Sequence, residues 1–161
     1  MRYLATLVLA LGAASCGSYN AVQAPSVPKP MLSSLQLGSF SVSLAVKDIA
    51  ASKAFYEKLG FVVTNGEQAA GWLVLRNATT TIGLFQGMFP TNVMTFNPGW
   101  DSNAQPLAAF VDVREIQTKL EGDGITLTRR AAPDGTGPDN ITMTDPDGNV
   151  IYIDQHVPRG K

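Results

Sequence analysis

The chain has 161 residues, of which 45% are apolar, with 12 basic and 13 acidic side chains, a composition typical of one globular domain. Its near-zero net charge offers no electrostatic footprint for a nucleic acid and no polybasic membrane patch, so we expect neither as a partner. Cys16 is the only cysteine and His156 the only histidine, which excludes an internal disulfide, a Cys/His zinc cage and a Cys–His catalytic pair within one mature domain.

Residues 1–16 are predicted to be a signal peptide. Arg2 precedes an apolar run over residues 4–11, and small residues lead to Cys16. The run is too short to span a bilayer, which takes ~20 residues, and small residues before a cysteine resemble the lipobox of bacterial lipoproteins, although Ala13 stands where leucine is usual. We expect a lipid anchor at Cys16 on the periplasmic side of a bacterial cell envelope, with plain secretion or an uncleaved N-terminal anchor as alternatives.

Residues 17–36 are rich in Ser, Pro and Ala and are predicted to be a flexible tether. Pro25, Pro28 and Pro30 are spaced so that neither a helix nor a paired strand can run through them. Residues 37–157 remain for one folded domain, which is long enough to bury a core.

The first predicted module covers about residues 39–87. Large apolar residues alternate with small or polar ones from Phe40 to Val46, which indicates a half-buried strand. Asp48 can cap a helix over residues 49–59 that ends at Gly60. Three short strands follow at about 61–64, 71–76 and 80–86, separated by turn-forming residues. The predicted order is βαβββ.

A linker loop at 88–104 and a second module at about 105–156 are predicted to follow. The second module has a strand at 107–111, a helix starting at Asp112, and strands at about 125–129, 140–144 and 149–155. A repeated βαβββ order predicts an α+β fold whose two modules pair, with helices outside and a cleft between the concave faces.

Two segments carry a family resemblance. The segment from Val46-Lys47-Asp48-Ile49 through Phe55-Tyr56 to Leu59-Gly60-Phe61 resembles the first strand–helix unit of the vicinal oxygen chelate superfamily. Asp145-Pro146-Asp147-Gly148-Asn149 resembles the final hairpin of that superfamily, which includes glyoxalases, bleomycin resistance proteins and extradiol dioxygenases. The resemblance covers the domain from Ser39 onward.

The resemblance implies where metal-dependent members hold their ion. Ligands, usually His or Glu, lie on four strands, and the matching positions here are Ser41, Gly83, Gln105 and Tyr152. None of these is an imidazole or a carboxylate, and a divalent ion needs ionised or strongly donating ligands to offset the loss of its water. We therefore expect no metal and no other cofactor, and neither glyoxalase isomerisation nor extradiol cleavage, which both require the ion.

Strand alternation predicts which residues share a face with Ser41. They are Ser43, Trp72, Thr81, Gly83, Phe85, Gln105, Leu107, Tyr152 and Asp154. Aromatic rings mixed with hydroxyls, an amide and a carboxylate are typical of a small-molecule pocket. The alternative is a mixed core that closes the second face of the sheet.

The linker carries the two further candidates Phe96 and Trp100. It is expected either to fold over the cleft as a lid or to plug the end of the sheet with its aromatic residues. His156 lies just after the last strand, and we expect it to have a structural or surface role.

These residues predict a metal-independent protein that binds a small organic ligand and has the potential to form a homodimer. One alternative is a lyase or isomerase, either metal-free, with Asp154, Tyr152 or His156 transferring the proton, or with non-standard metal ligands. Another is an envelope scaffold without a ligand.

Overall fold

The computed structural model describes residues 35–159, which belong to one compact unit. The predicted signal peptide, Cys16 and nearly all of the predicted tether lie outside the described residues. Within them the chain forms seven strands and two α-helices. They are β1 (Ser39–Val46), α1 (Ile49–Lys58), β2 (Val62–Glu67), β3 (Trp72–Asn77), β4 (Thr80–Gln86), β5 (Val93–Asn97), α2 (Val113–Gly122), β6 (Asp139–Thr144) and β7 (Val150–Gln155). A short 3-10 helix, Gln68–Ala70, joins β2 to β3.

All seven strands form one mixed sheet in the order β2-β3-β4-β1-β5-β7-β6. β1 is parallel to β4, and β5 is parallel to β7. The remaining pairs are antiparallel. The antiparallel pair β1–β5 lies at the centre and joins the two halves of the sheet, with Ser41 opposite Thr95.

The first half has the strand and helix order predicted from the sequence. Asp48 caps α1, because its carboxylate accepts hydrogen bonds from the amides of Ala50 and Ala51 at 2.9 and 3.0 Å. Gly60 follows the helix with a φ of +84°, the left-handed conformation expected where a helix stops.

The first strand of the second half is not where the sequence predicted it. Residues 107–111 are loop, and the strand is β5, which lies inside the predicted linker 88–104. A strand in the sheet has two edges at which other strands can pair. On β1, β4 pairs at one edge, and β5 pairs at the other through five residue pairs, so no edge of β1 is left for residues 107–111. Pro98-Gly99 then ends β5, and the long loop follows this strand instead of preceding it.

The predicted strand at 125–129 is also reduced. Its residues contribute one isolated bridge, between Arg129 and Thr142. The described part of the second half therefore has α2 and three strands, and the fold is α+β with one complete βαβββ module and a shorter second one.

The helices cover one face of the sheet, where the core forms two clusters. One lies against α1 and the other against α2. The first consists of Ile49, Leu73, Leu75, Ile82 and Leu84, and the second of Val113, Ile116, Leu127, Ala131, Ile141, Met143 and Ile153. Phe55 on α1 and Leu59 directly after it are exposed and do not belong to the core. Between residues 35 and 159 no helix is long and apolar enough to cross a membrane.

A glutamine at the end of the last strand of each half anchors that half's helix. Oε1 of Gln86 accepts a hydrogen bond from the amide of Ile49 at 2.8 Å, and Oε1 of Gln155 accepts one from the amide of Val113 at 2.7 Å. Each amide belongs to the first residue of a helix, where no intrahelical acceptor is available. The shared contact makes Gln86 and Gln155 equivalent positions, and hence also Gly83 and Tyr152, three residues earlier on each strand.

Candidate functional site

The sheet face opposite the helices lines a cleft of about 830 Å³. Six of the seven strands contribute to it, together with residues 88–89, residues 100–105 and His156. Because strand side chains alternate between faces, the residues that do not pack under the helices point into this space. The face therefore encloses open volume, which argues against the alternative of a closed mixed core.

The structure brings the predicted cleft residues together. The following residues all line the cleft: Ser41, Ser43, Trp72, Gly83, Phe85, Gln105, Tyr152 and Asp154, with Trp100 from the loop after β5. Their role in binding a ligand stays a prediction.

Three of the predicted residues lie elsewhere than expected. Leu107 was predicted on the cleft face, but it lies in the loop after β5 and does not line the cleft. Gln105 was predicted on a strand, but it lies in the loop at the rim of the cleft, where its amide donates to Oδ1 of Asp101 at 2.8 Å. Phe96 belongs to β5 and does not line the cleft. Its ring packs against Phe40 with centroids 5.1 Å apart and against the core cluster of α2. Alternation explains this, because Thr95 and Asn97 take the cleft face of β5.

Aromatic rings form the wall of the cleft in the first half of the sheet. Trp72 and Phe85 are paired residues on β3 and β4. Phe89, from the short loop after β4, meets the ring of Phe85 edge-on with centroids 5.1 Å apart. Such a surface suits a flat apolar ligand, because aromatic rings attract one another in edge-to-face and offset arrangements.

Residues 100–105 form the opposing wall. The carboxylate of Asp101 accepts hydrogen bonds from the amides of Asn103 and Gln105, both at 2.8 Å, and the amide of Leu107 donates to the carbonyl of Gly99 at 2.8 Å. These hydrogen bonds fix the loop as a turn that lines the cleft.

His156 also lines the cleft, and its side chain is 44% exposed. Its Nε2 is 3.1 Å from Oδ2 of Asp154, and its ring stacks on that of Trp100 with centroids 4.3 Å apart and an angle of 10°. A histidine paired with a carboxylate can accept or donate a proton, and the stacking fixes the orientation of the ring.

Tyr152 lies between this pair and the centre of the sheet. Burial, with a further contribution from the charge of Asp154, raises the pKa of Tyr152 to about 12. The phenol therefore stays protonated near neutral pH and presents a hydroxyl to the cleft.

Residues 38–153 match the family model described as Glyoxalase/Bleomycin resistance protein/Dioxygenase superfamily. The chain belongs to this superfamily. A solved glyoxalase/bleomycin resistance/dioxygenase superfamily protein from Vibrio splendidus 12B01 is 16% identical over 73% of this chain and 97% of its own, with a TM-score of 0.50. A structure described as an NAD-dependent benzaldehyde dehydrogenase from Legionella pneumophila is 17% identical over 73% and 98%, with a TM-score of 0.53. At these identities the likeness concerns the fold alone. A comparison with curated proteins gives no match.

Glyoxalase-superfamily metal sites lie at the centre of such a sheet, so the residues there decide whether an ion fits. Gly83 and Tyr152 pair with Ser43 and Thr95 on the neighbouring strands. Ser43 and Thr95 therefore occupy the positions that the resemblance implied for Ser41 and Gln105. The hydroxyls of Ser43 and Thr95 are hydrogen-bonded to each other at 2.9 Å.

The side chains at this centre do not suit a divalent ion. A Cβ at Gly83 would lie 2.4 Å from the ring of Phe85, so this ring covers the position. Over residues 35–159, no three His, Cys, Asp or Glu side chains come together as metal ligands would. Neutral hydroxyls and a protonated phenol are poor ligands for a divalent metal, which prefers imidazole, thiolate or carboxylate.

The cleft residues that the sequence interpretation missed include Arg76, Phe89, Thr95 and Asn97. Arg76 could have been found, because it alternates with Trp72 and Val74 on one strand face. Thr95 and Asn97 could not be placed without recognising β5 as a strand. Phe89 lies in a loop, whose side-chain direction has no sequence period.

Proposed function

We propose that this superfamily member binds a small organic molecule in the cleft without a metal ion. The observation that supports this most directly is a cleft of about 830 Å³ lined by aromatic rings and hydroxyls in place of metal ligands. Clefts of this size and composition hold small organic ligands, with the rings supplying apolar contact and a few polar groups fixing orientation. Superfamily members bind small ligands, which agrees with the proposal.

The test is a fluorescence titration with phenylnaphthylamine, a neutral aromatic probe that emits strongly once it leaves water. We expect saturable binding that Trp72→Ala weakens at least fivefold, because Trp72 forms part of the aromatic wall. Phe55→Ala is the matched control, since Phe55 is an exposed aromatic residue on α1 outside the cleft. Absence of saturable binding, or equal losses in both variants, would refute the proposal.

Elemental analysis of protein purified without chelators tests the metal-independent part separately. We expect less than a tenth of an equivalent of zinc, nickel, iron or manganese. One equivalent of any of them, together with loss of probe binding on chelation, would show that a metal holds the site.

A second candidate function is a metal-free lyase or isomerase, favoured by the 3.1 Å contact between His156 and Asp154 at the cleft. Here His156 would take a proton from carbon, and Asp154 would stabilise the imidazolium that forms. NMR of phenylacetone in heavy water, with and without protein, tests this. Faster deuterium exchange at the benzylic carbon with the wild type than with His156→Gln would support it, and equal rates would exclude it for this probe.

We also propose that the chain is tethered to the bacterial envelope through a lipid on Cys16. Cys16→Ser is expected to move the protein from the membrane fraction to the soluble fraction of expressing cells, and an unchanged distribution would contradict the tether.

Superfamily members often dimerise, and light scattering of the purified domain tests whether this one does.

A further inference from the structure

We propose that the ligand carries an anionic group, such as a carboxylate or sulfonate, on a flat apolar body, and that Arg76 binds this group. The inference rests on the proposed binding function and specifies the ligand class. It follows from the position of Arg76, from the absence of an ion-pair partner for it among residues 35–159, and from the distribution of charge around the cleft.

Arg76 lies near the first edge of the sheet, on the strand that carries the aromatic wall. It is on β3, paired with Val62 of β2 and Thr81 of β4, and its half-buried side chain lines the cleft together with Trp72 and Val74. An anion bound here would have the rings of Trp72 and Phe85 on the same face of the sheet.

The arginines of the described region differ in whether another residue of that region pairs with them. Arg114, Arg129 and Arg130 each form an ion pair with a carboxylate, and Arg159 donates to a backbone carbonyl. Arg76 forms no ion pair with any residue in 35–159, and its buried Nε has no hydrogen-bond acceptor.

A buried donor without an acceptor is destabilising, and an anionic ligand would supply the acceptor. A guanidinium also presents two parallel N–H groups, which match the two oxygens of a carboxylate or sulfonate. A neutral ligand would offer this fork no comparable partner.

The distribution of charge in the cleft determines where the anionic group of the ligand would lie. Asp101, Asp154 and His156 line the cleft from the second half of the chain, whereas Arg76 is the one Lys or Arg among the lining residues. Asp154 lies on β7, four strands along the sheet from β3, and its carboxylate would repel an anion, so the anionic group belongs at Arg76. Between β3 and Asp154 lie hydroxyl residues of the cleft face, namely Thr81, Ser41, Thr95 and Tyr152; Ser41 pairs with Thr95, and Thr95 pairs with Tyr152.

The experiment compares two fluorescent probes that differ by one anionic group. Anilinonaphthalene sulfonate carries the group, and phenylnaphthylamine is the same ring system without it. Arg76→Gln is expected to weaken binding of the sulfonate at least tenfold and binding of the neutral probe less than twofold. Arg130→Gln is the matched control, because it removes the same charge from an arginine paired with Glu121 outside the cleft, and it should change both affinities less than twofold.

Arg76→Lys keeps the charge but loses the planar fork, so its sulfonate affinity should fall between those of the wild type and Arg76→Gln. Retained binding of the neutral probe shows that each variant still has an intact cleft. If the sulfonate affinity changes equally in Arg76→Gln and Arg130→Gln, or not at all, the inference fails while the proposed binding function stands. If neither probe binds the wild type, the proposed function fails as well.

Discussion

Gly38 shows how closely the chain before β1 packs against the sheet. Its φ is +83°, and a Cβ added there would lie 2.1 Å from the carbonyl oxygen of Asn97. We expect Gly38→Ala to lower the free energy of unfolding by about 2 kcal/mol or more, because it adds a backbone clash to the cost of a left-handed conformation in a residue with a side chain. Urea denaturation measures this.

Gly124→Ala is the control for that prediction. Gly124 has nearly the same φ, +84°, but nothing lies within 4 Å of an added Cβ. It should cost about 1 kcal/mol, the conformational part alone. Equal losses in the two variants would show that the contact with Asn97 has no effect on stability.

The raised pKa of Tyr152 predicts a pH dependence of stability. The folded-state pKa of about 12 lies above the ordinary value of 10.0, so the folded protein holds this proton more tightly than the unfolded chain does. The resulting stabilisation is fully present below pH 10 and is lost as the pH rises through 12. Between pH 9 and 11 the urea midpoint of the wild type should therefore fall further than that of Tyr152→Phe. Parallel decreases would contradict the pKa.

At the scale of elements, the N-terminus of α2 is stabilised by the buried side chain of Gln155, which lies at the end of β7. Gln155 accepts from the amide of Val113 and donates to Oδ2 of Asp112 at 2.8 Å. Burial alone would raise the pKa of Asp112, but hydrogen bonds from Arg114 and Gln155 and the charge of Arg114 hold it below its ordinary value. The carboxylate at the start of α2 thus stays ionised, as a helix N-terminus favours.

We expect Gln155→Leu to cost about 3 kcal/mol, because it leaves the buried amide of Val113 without an acceptor and removes the shorter of the two hydrogen bonds to Oδ2 of Asp112. Gln86→Leu removes the equivalent contact with Ile49, but Gln86 is exposed, so water can replace it and the cost should be about 1 kcal/mol or less. Urea denaturation of both variants measures the difference. A loss at Gln86 as large as that at Gln155 would contradict this explanation.

The elements of the first half could be predicted from the sequence because each carries a local signal. Asp48 caps a helix, Gly60 ends it, and the strands alternate. β5 could not be predicted with equal ease, since Pro98-Gly99 at its end is typical of loops, and its strand state depends on pairing with β1. The apolar run at 107–111 suggested a strand by composition, but that signal contains no information about which sheet edges are already occupied.

At the scale of the whole molecule, one continuous sheet is covered by two separate core clusters. Ile82 belongs to the cluster against α1, and Ile141 to the cluster against α2. Ile82→Val and Ile141→Val should each cost about 1 kcal/mol, and the double variant should lose the sum within about 0.5 kcal/mol. Urea denaturation of the three variants tests this. A larger discrepancy would show that the two clusters are coupled across β1 and β5.

The sequence predicted which residues line the cleft better than it predicted the contacts that their side chains make. Strand alternation gave the shared face of Ser41, Trp72 and Tyr152, because the period of a strand is two. It could not give the stacking of His156 on Trp100, which joins the end of β7 to a loop whose course depends on the turn at Asp101. It also could not show that Arg76 has no ion-pair partner within residues 35–159, since this depends on where the acidic side chains lie in the folded chain.

Both tryptophans of the chain line the cleft, Trp72 on β3 in the first half and Trp100 after β5 in the second. The tryptophan emission of the protein therefore reports on the cleft. A variant that keeps a single tryptophan turns each half into its own optical sensor. The half of the cleft in which a ligand binds can then be identified without attaching a label.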